Sequence, residues 1–208
     1  MAVRRVAEIL TAVSMTMGRG AAARALADLA DVGSADSLID VGCGPGTAVR
    51  EAARRGARST GVDPSPDMLR LGRWITAARR GHNVTFVEGA AEALPLPDGG
   101  ATVVWALSSL HHWADRAAGL SEARRVLPPG GRILLAERLV AVGARGHAAH
   151  GLTADGVEEL ERDLRDAGFA SVRSATRVTG RRTLTIVQAV ATTPALAPTA
   201  GSDPPRLT

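Results

Sequence analysis

The segment 38–46 reads LIDVGCGPG and joins an apolar, strand-like run to a glycine-rich loop. The run contains one acid, Asp40, and the loop places Gly42, Gly44 and Gly46 at alternate positions. A buried strand that breaks into such a loop brings bare backbone close to a ligand. The glycine spacing differs from the Gly-x-Gly-x-x-Gly pattern that binds dinucleotides, and the preceding acid would repel a phosphate. The segment therefore favours a ligand with an ammonium group and no pyrophosphate over a nicotinamide dinucleotide.

Strand-like apolar runs alternate with segments of helical periodicity along most of the chain. Predicted strands cover 37–41, 58–62, 84–87, 101–107 and 132–137, and predicted helices cover 47–55, 66–79 and 116–127. This alternation implies a parallel sheet with helices on both faces. Another helix from Thr153 precedes two last strands, at 170–174 and 183–190. The predicted fold class is α/β, a single Rossmann-like doubly wound sheet, mainly parallel with an antiparallel C-terminal strand pair.

The length of the chain predicts one domain, and its cysteine content predicts a reducing compartment. With 208 residues the chain suits a single domain over 33–191, after an N-terminal helical segment or lid at 1–32. The Pro-, Ala- and Thr-rich residues 192–208 predict a disordered tail. A single cysteine, Cys43, excludes an internal disulfide, and no apolar run reaches the length of a membrane span. The expected location is the cytoplasm.

The basic residues are all arginine, yet the formal net charge is only +4. These charges are interspersed with acids along the chain and do not form one basic block. Interspersed charge is typical of a solvated surface, and it argues against a nucleic-acid partner.

Four further segments follow the glycine loop in a fixed order: 61–63 (GVD), 87–95 (VEGAAEALP), 103–113 (VVWALSSLHHW) and 125–133 (RVLPPGGRI). With 38–46, they resemble the five motifs of class I methyltransferases that depend on S-adenosylmethionine (SAM), in the branch that acts on small molecules. The resemblance covers residues 38–137. It implies that SAM is the cofactor and a small molecule the methyl acceptor.

The resemblance also implies how these motifs contact the cofactor. It implies that the Asp63 carboxylate accepts hydrogen bonds from both ribose hydroxyls of SAM. It also implies that Asp40 helps to neutralise the ammonium group of the methionine part through loop backbone or water. Ala90 departs from the family, which carries an aspartate there, so that Glu92, Glu88 or a water is left to contact the adenine amino group. The predicted cofactor-binding residues are Asp40, Gly42, Cys43, Gly44, Gly46, Asp63, Pro64, Met68, Ala90, Ala91, Glu92, Ala106 and Leu107.

Four of the five histidines fall in the two loops expected at the ligand-binding end of the sheet. The fifth, His82, lies in a predicted turn. A hydroxyl acceptor must lose its proton during methylation, and a histidine is the usual base at neutral pH. The predicted catalytic residues are His111, His112, His147 and His150. Glu137 or Asp115 could join the pair His147-x-x-His150 around a metal, but two histidines without a clear third ligand do not predict a metal site.

Few aromatic residues are available to stack against a flat acceptor, since they make up only 2% of the chain. The predicted acceptor is therefore polar and hydroxylated, such as a sugar or polyol. A short lid and a partner subunit could close this site, so the sequence is compatible with a homodimer. Two other functions remain: an RNA methyltransferase that uses arginine-rich turns such as Arg181-Arg182, and a non-catalytic regulatory protein that binds SAM.

Overall fold

The computed structural model describes residues 19–79, 83–179 and 182–193. Residues 1–18 of the predicted lid, His82, Arg181 and the tail from residue 194 lie outside these ranges, as does the side chain of His147. The strands are β1 (Ser37–Val41), β2 (Arg58–Asp63), β3 (Val84–Glu88), β4 (Val103–Leu107), β5 (Arg132–Arg138), β6 (Phe169–Thr179) and β7 (Arg182–Ala191). The α-helices are α1 (Arg19–Leu29), α2 (Thr47–Arg54), α3 (Pro66–Ala78), α4 (Arg116–Val126) and α5 (Ala154–Asp166).

The seven strands form one sheet in the order β3-β2-β1-β4-β5-β7-β6. Strands β1 to β5 pair in parallel, whereas β7 is antiparallel to both β5 and β6. The predicted fold class is therefore confirmed. The chain order reverses between β1 and β4, and ligands of open α/β sheets bind in the crevice at this kind of switch point, beyond the carboxyl ends of the strands.

Local sequence determines where three of the helices begin. The hydroxyl of Ser65 accepts a hydrogen bond from the backbone N–H of Met68 at the start of α3. The Asp115 carboxylate and the Thr153 hydroxyl cap α4 and α5 in the same way, at 3.0 and 3.1 Å. Each cap satisfies a backbone donor that the first turn of a helix leaves free, so these helices begin where the sequence predicts.

The core lies on both faces of the sheet. Strand β4 is buried along its whole length, and the side chain of Trp105 is fully enclosed. Helix α1 packs into this core through Ala22, Ala23 and Leu26, so it is a structural helix of the domain. The proposed role of residues 1–18 as a lid and the boundaries of the tail remain predictions. Within the described ranges, no helix is long and apolar enough to cross a membrane.

Strand β6 is much longer than the predicted strand 170–174, since it runs from Phe169 to Thr179. Its residues are mostly exposed, and the strand forms one edge of the sheet. It pairs with β7 almost throughout, with an irregularity between Ala170 and Arg173. An exposed edge strand does not need apolar alternation, because its backbone pairing with β7 holds it in place. Its sequence therefore carries a weak strand signal.

Candidate functional site

A cavity of about 400 Å³ opens at the carboxyl ends of β1, β2 and β4, next to the switch point of the sheet. Several segments of the chain contribute to it: the start of α1, the loops after β1, β2 and β3, and the turn after β4. The cavity is lined by Arg19, Val41, Gly42, Gly44, Pro45, Asp63, Pro64, Met68, Gly89, Ala90, Ala91, Glu92, Ser108, Ser109, His112, Trp113 and Ala114.

The glycine loop brings bare backbone to the wall of this cavity. Gly42 has a φ of +69°, and a Cβ atom at this position would lie 2.4 Å from the Cβ of Ser109. Such an overlap excludes any side chain there without movement of the turn after β4. The N–H groups of Gly42 and Cys43 both donate to the carbonyl of Val62, which fixes the loop across the end of β2. The backbone of Gly42 and Gly44 therefore lies in the cavity wall, at the point where the sequence predicts a ligand.

Asp63, the last residue of β2, presents a carboxylate in the wall of the cavity. Its side chain is buried, and backbone N–H groups hold both oxygens: Gly44 donates to Oδ2 at 2.8 Å and Ser65 donates to Oδ1 at 2.9 Å. These two bonds fix the orientation of the carboxylate relative to the glycine loop. The arrangement fits the predicted role of an acceptor for ribose hydroxyls, because a fixed carboxylate needs little reordering when it binds.

Asp40 is buried beneath the glycine loop and does not line the cavity. Its Oδ2 accepts a hydrogen bond of 3.0 Å from the N–H of Val49 in α2, whereas Oδ1 has no hydrogen-bond partner in the described part of the chain. Burial raises the pKa of Asp40 to about 7, although the bond from Val49 and the charge of Arg19 oppose this rise. In the structure Asp40 therefore joins β1 to α2, and its action on a ligand would be indirect, as the sequence predicts.

We expect Asp40→Asn to flatten the pH dependence of stability. The pKa of Asp40 is higher in the folded protein than the ordinary value of about 4, so the folded state binds the proton more tightly. The contribution of Asp40 to the free energy of unfolding is therefore largest below about pH 4 and decreases as the pH rises to about 7. Between pH 5 and pH 8 the loss is on the order of 3 kcal/mol, since about two pKa units of this fall lie in that window and each unit corresponds to about 1.4 kcal/mol. Urea unfolding at pH 5 and pH 8 measures it; an equal pH dependence in both proteins would contradict the raised pKa.

Three histidines meet at the carboxyl ends of β4 and β5. His111 and His112 belong to a short 3-10 turn, Leu110–His112, and His150 follows a second such turn after β5. The ring centroids of His111 and His112 lie 4.0 Å apart, and those of His150 lie 5.0 and 5.6 Å from them. Nδ1 of His111 is 3.0 Å from Oε2 of Glu137, a fully buried residue of β5. We call His111, His112 and His150 the histidine cluster.

The environment of the histidine cluster favours a neutral imidazole at His112. This side chain lines the cavity and is partly exposed to solvent. Partial burial lowers the pKa of His112, and the positive charges that His111 and His150 can carry lower it further. A neutral imidazole has a free lone pair, which can accept a proton or bind a metal ion.

The structure brings most of the predicted cofactor-binding residues to the cavity wall but leaves some away from it. Ala106 and Leu107 are buried within β4, and Cys43 is buried with a thiol whose pKa is raised by that burial. Those in the wall are Gly42, Gly44, Asp63, Pro64, Met68, Ala90, Ala91 and Glu92, together with His112 of the predicted catalytic set; Asp40, Gly46, His111 and His150 are not among the lining residues.

The sequence interpretation missed several lining residues. Ser108 and Ser109 directly follow β4, so their position after a predicted central strand was a usable signal. Trp113 lies just beyond the pair His111-His112, and its place in a loop offered a weaker one. Arg19 had no such signal, because only the packing of α1 against the core brings it to the cavity.

Comparison with known proteins shows what this arrangement is similar to. A family model described as a methyltransferase domain matches residues 39–135. The 27-O-demethylrifamycin SV methyltransferase of Amycolatopsis mediterranei is 34% identical over 156 residues, which are 69% of this chain and 57% of that protein. The demethylmenaquinone methyltransferase of Tropheryma whipplei is 34% identical over 114 residues, covering 55% of this chain and 46% of that protein. The chain thus spans about half the length of these relatives.

A solved structure shows the same fold. The SAM-dependent methyltransferase of Aquifex aeolicus superimposes with a TM-score of 0.68 at 14% sequence identity, over 81% of this chain and 89% of that one. The family match covers the glycine loop, the end of β2 and the turn after β4, which are the segments that build the cavity. Residues 39–135 therefore match a methyltransferase domain, and the fold is that of class I SAM-dependent methyltransferases.

Proposed function

We propose that this chain transfers the methyl group of SAM to a hydroxyl of a small polar molecule, with His112 as the general base. The observation that carries the proposal is the position of His112, which lines the cavity at the carboxyl end of β4 beside two further imidazoles. The relative from Amycolatopsis supports the O-methyl assignment, because its name describes an acceptor that lacks an O-methyl group. A sugar or polyol is the proposed acceptor class.

The residues of the cavity wall fit the cofactor as a set. Asp63 provides a fixed carboxylate for the ribose, and the glycine loop provides a surface without side chains at Gly42 and Gly44. Met68 adds an apolar contact for the adenine end. When bound, SAM supplies a methyl group on a positively charged sulfur, which leaves as neutral S-adenosylhomocysteine while the acceptor oxygen takes the methyl and loses its proton. The protein then contributes mainly proximity and alignment.

His112 meets two requirements of a general base. It is accessible from the cavity, so an acceptor hydroxyl can approach it, and its lowered pKa keeps the imidazole neutral near pH 7. A base of this kind accelerates proton transfer by about 10²–10⁴-fold. The buried carboxylate of Glu137 forms its hydrogen bond with His111. The imidazole of His112 therefore does not use a nitrogen for that bond.

The lining of the cavity supports a polar acceptor. Trp113 is the single Trp or Phe among the lining residues, whereas Ser108, Ser109 and Glu92 supply polar groups. Hydroxyl and carboxylate groups can bind several hydroxyls of a sugar, and one indole offers a face for its apolar side. A flat aromatic acceptor would gain only that one stacking partner.

Arg19 is proposed to bind the carboxylate of the methionine part of the cofactor. It is the first residue of α1, it lines the cavity, and its positive charge lowers the pKa of the Asp40 carboxyl. We expect Arg19→Ala to weaken S-adenosylhomocysteine binding by about 10-fold, the loss of one charge-assisted hydrogen bond. Calorimetric titration measures this loss. Arg24→Ala, an exposed arginine of the same helix, serves as the control and should bind normally. Equal affinity in both variants would remove Arg19 from the site.

Incubation with methyl-labelled SAM and a panel of small molecules tests the proposed function. The panel contains sugars and polyols, matched amines and thiols, quinols and total RNA. Label in a sugar or polyol supports the proposal, whereas label only in amines, thiols or ring carbons contradicts it. Label in RNA would identify an RNA methyltransferase, and cofactor binding without label in any fraction would favour a regulatory protein. A cytoplasmic location and a homodimer remain predictions from the sequence.

A further inference from the structure

The histidine cluster has the spacing of a metal-binding site. One ring nitrogen from each of His111, His112 and His150 lies within 4.8 Å of the others. In a zinc site the ligand nitrogens lie about 2.0–2.1 Å from the ion, so small side-chain rotations would bring these three atoms to that distance. His112 and His150 are exposed, which leaves room for such rotations.

Glu137 provides an independent observation that points to a metal. This residue of β5 is fully buried, and its Oε2 lies 3.0 Å from Nδ1 of His111. When Nδ1 of His111 carries the proton, this N–H donates a hydrogen bond to the Glu137 carboxylate. The lone pair on Nε2 of His111 then remains available. Histidines that bind metals are usually held in this way by a carboxylate, which fixes the tautomer and makes the ring more basic. The second oxygen of Glu137, Oε1, has no hydrogen-bond partner among the described residues.

Loop packing alone explains these contacts poorly. Packing would not require three imidazoles from two separate turns to place their nitrogens together, and it would not require a buried carboxylate behind them. An ion bound by the three nitrogens would account for the convergence of three imidazoles in front of the buried side chain of Glu137. Imidazole nitrogens are the ligands that Zn²⁺ and the other later divalent transition metals accept.

We propose that His111, His112 and His150 bind a divalent transition-metal ion of the zinc type, with Glu137 as the positioning residue for His111. Three protein ligands leave one coordination position open, which is the arrangement of catalytic zinc sites. His112 lines the cavity, so an ion in the cluster lies at the cavity wall.

The consequence for catalysis rests on the proposed function. When bound, the ion would lower the pKa of an acceptor hydroxyl at the open position, so that the hydroxyl would give up its proton more readily. In the metal-bound protein His112 would be a ligand, and the ion would take over the activation of the hydroxyl that the proposed function assigns to the metal-free imidazole. The proposed acceptor class also fits, since neighbouring hydroxyls of a polyol can approach an ion together.

Zinc titration of the chelator-treated, untagged full chain tests the site without cofactor or acceptor. We expect one Zn²⁺ per chain by calorimetry and, with Co²⁺ as a second probe, the visible absorption of a four-coordinate ion. Glu137→Gln should weaken Zn²⁺ binding by about 10–100-fold, and loss of a ligand in His150→Ala should weaken it further. Glu158→Gln replaces an exposed acid of α5; this control variant should leave the affinity unchanged.

The outcomes separate the metal site from the proposed function. His150 is exposed, so His150→Ala should fold even if the half-buried His111 does not tolerate replacement. Absence of Zn²⁺ binding by the treated protein, or equal binding by wild type, His111→Ala and His150→Ala, overturns the metal site. If methyl transfer then proceeds unchanged in chelator, His112 remains the base. Zinc binding without methyl transfer to any acceptor keeps the site and removes the proposed function.

Discussion

Asp63→Ala is expected to abolish measurable binding of S-adenosylhomocysteine. The carboxylate lies in the cavity wall, and the N–H groups of Gly44 and Ser65 fix both of its oxygens. If it accepts two ribose hydroxyls, it contributes two charge-assisted hydrogen bonds of about 1.5–3 kcal/mol each. Their loss lowers the affinity by at least about 100-fold, since 1.4 kcal/mol corresponds to a factor of ten. Isothermal titration calorimetry of the purified variant measures the effect.

The controls for Asp63→Ala separate cofactor binding from damage to the loop. Asp67→Ala removes a nearby acid that is exposed in the first turn of α3 and pairs with Arg70, and it should bind like the wild type. Asp63→Asn keeps a hydrogen-bond acceptor for Gly44 but removes the charge, so it should preserve the fold and still weaken binding. A thermal melt of each variant reports on folding. Unchanged affinity in Asp63→Ala would contradict the placement of the cofactor in this cavity.

His112→Ala is expected to slow methyl transfer by about 10²–10⁴-fold, the usual contribution of a general acid–base group. The side chain contacts the cavity through its imidazole, while the ribose and loop contacts come from Asp63 and the glycines. The affinity for S-adenosylhomocysteine should therefore stay close to that of the wild type. Single-turnover transfer at saturating SAM, with the acceptor identified in the panel, measures the rate of the chemical step.

Further histidine variants show how the cluster acts. His82→Ala replaces the histidine that the sequence places in a turn, and it should transfer methyl groups at the normal rate. His111→Ala and His150→Ala should also slow transfer while they spare cofactor binding. An effect of similar size in His150→Ala and His112→Ala would favour action through a bound ion, whereas a large effect only in His112→Ala would favour direct proton transfer. A normal rate in His112→Ala would exclude both roles.

Features that depend on neighbours in sequence could be predicted well. The bounds predicted for β1 match the observed Ser37–Val41, because its apolar run ends abruptly at the glycines. The order of strands and helices, the parallel sheet and the antiparallel end follow from periodicity and from strong breakers such as Pro128-Pro129-Gly130-Gly131. Asp63 and Met68 were identified because each follows a strand end at a spacing typical of the family, and both lie in the cavity wall.

Features that depend on distant segments could not be predicted. The partner of Asp40 is the N–H of Val49 in the next helix, and the prediction that Asp40 acts on the ammonium through loop backbone or water did not include this contact. The full length of β6 depends on β7, since an exposed edge strand carries little apolar pattern of its own. Arg19 reaches the cavity only because α1 packs on the core far from the motifs.

The sequence by itself determined the fold class and the loops that form the cavity, because apolar periodicity, glycine spacing and strand-end acids act over a few residues. Only the tertiary structure decided the composition of the histidine cluster. Residues 111 and 150 are far apart in the chain, and the sequence pointed to the pair His147 and His150 as the one with metal spacing. Parallel pairing of β4 with β5 places both turns at the same edge, and so brings His150 and Glu137 to His111. That convergence depends on strand register and burial, which no local pattern encodes.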